Sequence, residues 1–280
     1  MSLQFGWTVS EAPKETQLTG VESHDDEVVA TGRRGVLLER TGPGEWEAVF
    51  TNGSVGNGNA VLDASFTDDG TRVWYVGNSG VFGYYDLESR ETISHKAPED
   101  VSSTFTSVAV TGDAGTESIY TADNSGQVLA ATADGDTVVV DELATPGDGT
   151  TLSEVVVDDD DGLYMADVSG YLYYARNGEN WRRRRLAETT IKALATADSG
   201  VTAITDGGTV YRDISLFEQD QRTKQARFET SSPEELAADD DLFVIAGCDG
   251  CLVPVTADGD YEHAEPGPGV TYYGAEVTDD

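Results

Sequence analysis

The side chains able to do chemistry in this chain are unevenly supplied. Cys248-Asp249-Gly250-Cys251 holds both cysteines of the sequence, at the C-x-x-C spacing of a zinc half-site. No further cysteine can complete a tetrahedral set, so His263, a carboxylate or another subunit would have to supply the rest. The same segment reads equally as a pair of thiols, or a local disulfide, in a hairpin turn. The three histidines, His24, His95 and His263, stand far apart with no local partner for acid–base work. A Gly-x-Ser-x-Gly nucleophile turn is missing, as is a phosphate-binding loop. Asp158 to Asp161 and Asp239 to Asp241 offer carboxylates to Ca²⁺, but lack the alternating Asp-x-Asp-x-Asp-Gly order of a dedicated loop. They read as solvated turns. Among 52 Asp and Glu, a glycosidase pair about 5 to 9 Å apart cannot be singled out. The reading is of no catalytic set and no cofactor.

One run stands out against that background: Trp181-Arg182-Arg183-Arg184-Arg185. The chain carries 17 Lys and Arg against 52 Asp and Glu, a net charge of −35, and this is where its sign reverses. In a strand, Arg182 and Arg184 point to one face, Arg183 and Arg185 to the other. On an outer edge all four guanidiniums would be accessible. They would then either pair with acids of neighbouring repeats and guard the edge, or dock an acidic partner through bidentate carboxylate contacts. The rest of the surface is too acidic for phosphate binding, which needs basic residues over an extended face, so no nucleic-acid partner is expected. Only four of the basic residues are lysines. At molar salt, where the Debye length is about 3 Å, an acidic coat holds hydration instead of repelling itself. The composition is read as salt adaptation.

The elements that position these residues repeat. Six segments share a short apolar run, a polar turn, a glycine and a second apolar run, with the glycines at 35, 80, 126, 170, 208 and 250. Four short strands per repeat, joined by turns rich in Asp, Asn and Gly, are the pattern of propeller blades. The fold class expected is an all-β propeller of six four-stranded blades. Repeats are placed at about 16–59, 60–103, 104–150, 151–189, 190–231 and 232–268, in a single domain. Strand-like pieces at 3–10 and 269–277 are expected to close the ring, or else to form a reduced seventh blade with an open sheet edge.

The turns between third and fourth strands carry a more specific signal. Arg176-Asn177-Gly178-Glu179-Asn180-Trp181 and Gly42-Pro43-Gly44-Glu45-Trp46 look like degenerate Asp-box hairpins. Thr132-Ala133-Asp134-Gly135-Asp136-Thr137 and Thr256-Ala257-Asp258-Gly259-Asp260 resemble the same turn without its tryptophan. With turns such as Gly32-Arg33-Arg34-Gly35, the chain resembles the sialidase-like (BNR-repeat) propellers, including the photosystem assembly-factor type. That resemblance implies a fold and, by itself, no activity. Sialidase chemistry would need three arginines at equivalent inner-strand positions, and none recur so; the arginines outside the run fall mostly in outer strands and turns.

These readings converge on a non-enzymatic binding propeller, a subunit of a larger assembly in a salt-adapted archaeon or its virus. A virion surface spike that attaches to a host is one placement. An intracellular assembly factor is a second, and a carbohydrate-active enzyme with its site at the propeller mouth a third. The expected partner is a protein chain docking on Trp181, Arg182, Arg183, Arg184 and Arg185, with a host glycan as a further ligand. Met1 to Trp7 has neither a basic n-region nor an apolar h-region, so no secretory leader is expected. No apolar stretch approaches the roughly 20 residues of a membrane helix, so membrane insertion is not expected.

Overall fold

The computed structural model describes residues 17–256, apart from 55–56, 96, 159, 177–178, 198–199, 215–223, 228–231, 239–241 and 248–250. The chain is a six-bladed β-propeller, each blade an antiparallel meander running from the central channel outward. Blade 1 is β1 (Leu18–His24), β2 (Glu27–Gly32), β3 (Val36–Gly42) and β4 (Glu45–Phe50); blade 2 is β5 (Val61–Phe66), β6 (Arg72–Gly77), β7 (Val81–Asp86) and β8 (Glu91–Ser94). Blade 3 is β9 (Phe105–Thr111), β10 (Ser118–Asp123), β11 (Val128–Asp134) and β12 (Thr137–Ala144); blade 4 is β13 (Leu152–Val157), β14 (Gly162–Asp167), β15 (Tyr171–Arg176) and β16 (Glu179–Arg185). Blade 5 is β17 (Ile191–Ala197), β18 (Gly200–Thr205), β19 (Thr209–Ile214) and β20 (Lys224–Arg227). Of blade 6, β21 (Pro233–Ala238), β22 (Leu242–Gly247) and β23 (Leu252–Thr256) are described. The closing strands expected over 3–10 and 269–277 lie outside the described residues.

The periodic glycines have two reasons to be glycine. Gly80, Gly126 and Gly170 sit at φ +70°, +82° and +84°, where an L side chain is strained. Each also lies under the strap that leads to the next blade. A Cβ on Gly170 would come within 2.3 Å of the Ala187 carbonyl oxygen, and one on Gly126 within 2.6 Å of that of Thr150. The second-to-third-strand hairpin and the interblade connection therefore share one crowded place in every such blade. In blades 3 and 4 an aspartate finishes the hairpin: Asp123 Oδ1 accepts the N–H groups of Ser125 and Gln127, and Asp167 Oδ1 those of Ser169 and Tyr171.

Strand alternation then supplies the core. The second strands are covered on both sides by neighbouring blades, so β6 and β14 are buried along their whole length. Apolar clusters fill the successive blade interfaces: Val29, Val61 and Tyr75 between blades 1 and 2; Trp74, Phe82 and Ile119 between blades 2 and 3; Leu129 joins the same cluster. Val128, Leu163 and Tyr173 join blades 3 and 4, Leu172, Leu194 and Tyr211 blades 4 and 5, and Ile204, Phe243 and Val253 blades 5 and 6. The opposite face of blade 1 carries its own cluster of Ala30, Val36 and Leu38.

Candidate functional site

Two places gather unusual chemistry: the wall of the central channel and the outer edge of blade 4. The channel is a cavity of about 240 Å³ lined by all six inner strands. Each of those strands slips register by one residue at the same point, between Leu18 and Gly20, Val61 and Asp63, Leu152 and Glu154, Ile191 and Ala193, and Pro233 and Glu235. In blade 3 the slip falls where Asp123 pairs with Phe105 and Ala122 with Ser107. A β-bulge re-aims side chains, and here the extra residue reaches across to the next blade. Thr19 Oγ1 donates to the Val61 carbonyl at 2.6 Å, Thr106 Oγ1 to that of Leu152 at 2.9 Å, and Ser153 Oγ to that of Ile191 at 2.7 Å. In blade 5 the same position is Lys192, whose Nζ meets Glu234 of blade 6 at 2.7 Å.

The residue after each bulge faces the channel, and three of the six are acids: Asp63, Glu154 and Glu235. Asp63 Oδ1 accepts the Ala64 N–H at 2.9 Å and Oδ2 accepts the Val108 N–H of blade 3 at 2.8 Å. Ser107 donates its hydroxyl to Glu154 Oε1 in blade 4, and Glu235 Oε1 accepts the Leu236 N–H at 3.0 Å. Burial pushes the Asp63 carboxyl up to about 6, against the opposing pull of the Val108 N–H, the Ser107 hydroxyl and the Ala64 N–H. Burial, with the nearby charges of Asp63 and Glu235, holds Glu154 well above the usual carboxylate range. The lining includes no Lys, Arg or His; beyond the acids it is mostly Gly, Ala, Val and Leu. Both Asp63 oxygens are thus occupied by backbone donors, one across a blade boundary, and the acids serve as ties around the ring.

A second buried polar group ties blades 2 and 3 further out. Arg72, which opens the middle strand β6, meets Asp136 at 2.9 Å and Glu117 at 3.4 Å, and its guanidinium lies 4.3 Å over the Tyr84 ring. The Trp74 indole N–H donates to Glu117 at 2.9 Å and the Tyr84 hydroxyl to Asp136 at 2.7 Å. His95 stacks on Trp74 at 5.8 Å, and burial draws its pKa below the usual value. The expectation that arginines outside the basic run sit in outer strands and turns is corrected by Arg72, which is buried and anchors this network. Asp136, in the turn that resembles an Asp box, is turned to the same use.

β16 is the outer edge strand of blade 4, as its place in the sheet shows. Its pairing slips by one residue between Tyr174 and Arg176, and Asn180 takes a φ of +57°. From Trp181 onward the strand alternates regularly. Trp181, Arg183 and Arg185 share the face toward blade 3, where Trp181 packs against the apolar cluster of that interface. Arg183 and Arg185 lie over the Tyr171 ring at 5.4 and 5.7 Å, each within cation–π reach. Arg183 also meets Asp148 at 3.4 Å, and Arg185 meets Glu188 at 2.9 Å. Arg182 and Arg184 occupy the other face, opposite Tyr174 and Leu172 of β15. Arg182, Arg183 and Arg185 are exposed and Arg184 is half-buried, so accessibility is uneven along the run. Residues 176–227 hold ten of the chain's 17 basic residues against seven acids. The sign reversal therefore spans blades 4 and 5.

The remaining sequence candidates are placed as follows. Cys251 has a free, half-buried thiol beside the interface of blades 5 and 6, whereas Cys248 lies outside the described residues, as do Asp239 to Asp241. Among the described residues, no three His, Cys, Asp or Glu side chains are placed to hold a metal ion. Asp158 is no loose solvated acid: its Oδ1 accepts the N–H groups of Asp160 at 3.1 Å and Gly162 at 2.6 Å, closing the turn. Among the described residues no helix is long and apolar enough to cross a membrane.

No protein-family model matches this sequence, and no curated protein matches it. Solved structures do. The β-propeller domain of Cps50 (Swd1) from Myceliophteria thermophila superposes with a TM-score of 0.74 at 11% identity, over 96% of this chain and 92% of that one. The RRP9 WD40 repeats superpose with a TM-score of 0.75 at 12% identity, over 95% and 86% of the two chains. U3-55K superposes with a TM-score of 0.73 at 10% identity, also over 95% and 86%. These likenesses are to WD40-type propellers, and the Asp-box resemblance gains no family match beside them. At such identities they establish the fold alone.

Proposed function

We propose that this protein is a non-enzymatic interaction propeller, a subunit of a larger assembly that docks an acidic protein partner on the outer edge of blade 4. The observation that carries the reading is β16: exposed arginines on a sheet edge of a chain with a net charge of −35. An edge is guarded by charges that repel whatever approaches. Against neighbours as acidic as this chain, a basic edge attracts. Trp181 and Tyr171 supply the flat aromatic surface beside the guanidiniums, and Arg is suited to bidentate carboxylate recognition that survives screening when close-packed. The WD40-type likeness supports the reading only as far as the scaffold, since one propeller fold hosts many functions. Salt adaptation is part of the proposal, resting on acid excess and lysine scarcity. Placement on a haloviral surface, or inside the cell as an assembly factor, is a choice that the partner's identity decides.

The test is purification at molar salt from the native source, with native mass and identification of associated chains, beside an Arg182→Glu/Arg184→Glu version. Assembly retained by the wild type and lost by the variant supports the reading. A lone monomer in both overturns it. The raised carboxyls of the channel favour a second reading, hydrolysis of a glycan at the propeller mouth. Turnover that is abolished by Glu154→Gln would establish that reading; the ties described above account for the same carboxyls without it.

A further inference from the structure

We infer that β16 takes its partner by strand addition: an extended acidic segment of another chain pairs antiparallel or parallel along the free edge of blade 4 as a fifth strand. The inference rests on the proposed docking role of β16 and specifies its mode. Among the described residues, β15 is the only strand paired with β16, so its outer backbone groups face away from the sheet. Unpaired edge groups are a template for a further strand. The run itself dictates the partner's chemistry. Arginines at four successive positions put two guanidiniums on each face, and an added strand lies about 4.8 Å away, within cross-strand reach on both faces. A partner with a carboxylate on only one face would match half of them. The fitting segment therefore carries acids at consecutive positions, both faces in use.

The other outer strands set β16 apart. β4, β8 and β12 carry Glu45 and Glu47, Glu91, and Asp141 and Glu142, which repel acidic segments. Blade 4 is thus the edge among these that an acidic strand can approach. On the face toward blade 3, Arg183 and Arg185 are held over Tyr171 with Asp148 and Glu188 nearby. They are pre-positioned, so an incoming carboxylate orders less side-chain freedom than at a loose arginine.

The experiment uses the full chain in about 1 M KCl, where charge alone is screened, and a labelled octapeptide, Val-Thr-Glu-Glu-Glu-Glu-Thr-Val. Two further peptides carry N-methyl groups at alternate residues, one set on each edge of the extended strand. Strand addition predicts that one N-methyl isomer binds like the parent and the other is weakened at least about tenfold, from the loss of edge hydrogen bonds. It also predicts slowed amide exchange within residues 179–185 on binding the parent peptide. Arg182→Glu/Arg184→Glu, and separately the milder Arg184→Gln, should weaken the parent peptide, with unchanged far-ultraviolet circular dichroism showing that the fold survives. Equal binding of both N-methyl isomers overturns strand addition, and so does no binding of the parent peptide. Either result leaves the broader docking reading to be judged by whether the double variant loses its native assembly, so the two failures are separable.

Discussion

Replacing Asp63 by Asn removes the channel carboxyl whose folded pKa, about 6, is most accessible to measurement. In the unfolded chain the same group titrates near its ordinary 3.8. The folded state holds the proton more tightly, so the stability Asp63 contributes is full below about pH 4 and is lost as pH rises through about 6. That displacement corresponds to about 3 kcal/mol. Glu154 is displaced in the same direction and steepens the decline. In Asp63→Asn the Asp63 part disappears. Asn brings a pH-independent cost of about 1 to 3 kcal/mol, because its amide nitrogen cannot accept from both Ala64 and Val108 as the two carboxylate oxygens do. The wild type should therefore lead the variant at pH 4 and lose about 3 kcal/mol of that lead by pH 7. Urea unfolding followed by tryptophan fluorescence reports it, with Trp74 fully buried. About 1 M KCl keeps the surface acids from dominating the slope. Parallel pH curves for the two proteins, or a lead that grows with pH, would refute the assignment of Asp63 as a buried, protonated tie.

Three further outcomes follow from the packing. Gly170→Ala should cost about 3 kcal/mol or more, since strain at positive φ is joined by a clash with the Ala187 carbonyl; Gly135→Ala, at φ +65° with open space around it, should cost only about 1 kcal/mol. Differential scanning calorimetry of the pair checks the contrast. Arg72→Met should destabilise by about 3 to 5 kcal/mol, because Glu117 stays fully buried with its cation gone; urea midpoints at pH 7 read it. Substituting Lys at Arg182, Arg183, Arg184 and Arg185 keeps the charge and removes the planar fork, so binding of an acidic partner at molar salt should drop by roughly tenfold or more while thermal stability changes little.

The fold was legible because its signals are local and repeated. The glycine turns fall at one period, and blade 4 could be drawn strand by strand: Gly162–Asp167 and Tyr171–Arg176 are where the alternating apolar pattern puts them. Turn glycines also mark where straps cross, although the sequence offered only their φ as a reason. β16 was legible as an outer strand for the same cause, since it follows the third strand of its repeat. The channel was not. Asp63, Glu154 and Glu235 come from three blades and are ordinary acids among 52. What selects them is a bulge at one position of every inner strand, and Thr19, Thr106 and Ser153 at that position give no pattern without the register. A repeat alignment anchored on the turn glycines, carried back to the inner strand, would have set these residues in one column. Arg72 was missed for the opposite reason: a charged residue at the start of a middle strand contradicts the apolar pattern, and only the third-strand turn of blade 3, folded alongside, explains it.

The most direct test of the central claim is amide hydrogen exchange over residues 179–185, measured at molar salt in the native assembly and in the isolated chain. The account predicts that exchange along β16 slows in the assembly, while the inner strands around the channel are protected alike in both. Unchanged exchange along β16, with protection appearing at the channel mouth instead, would contradict it.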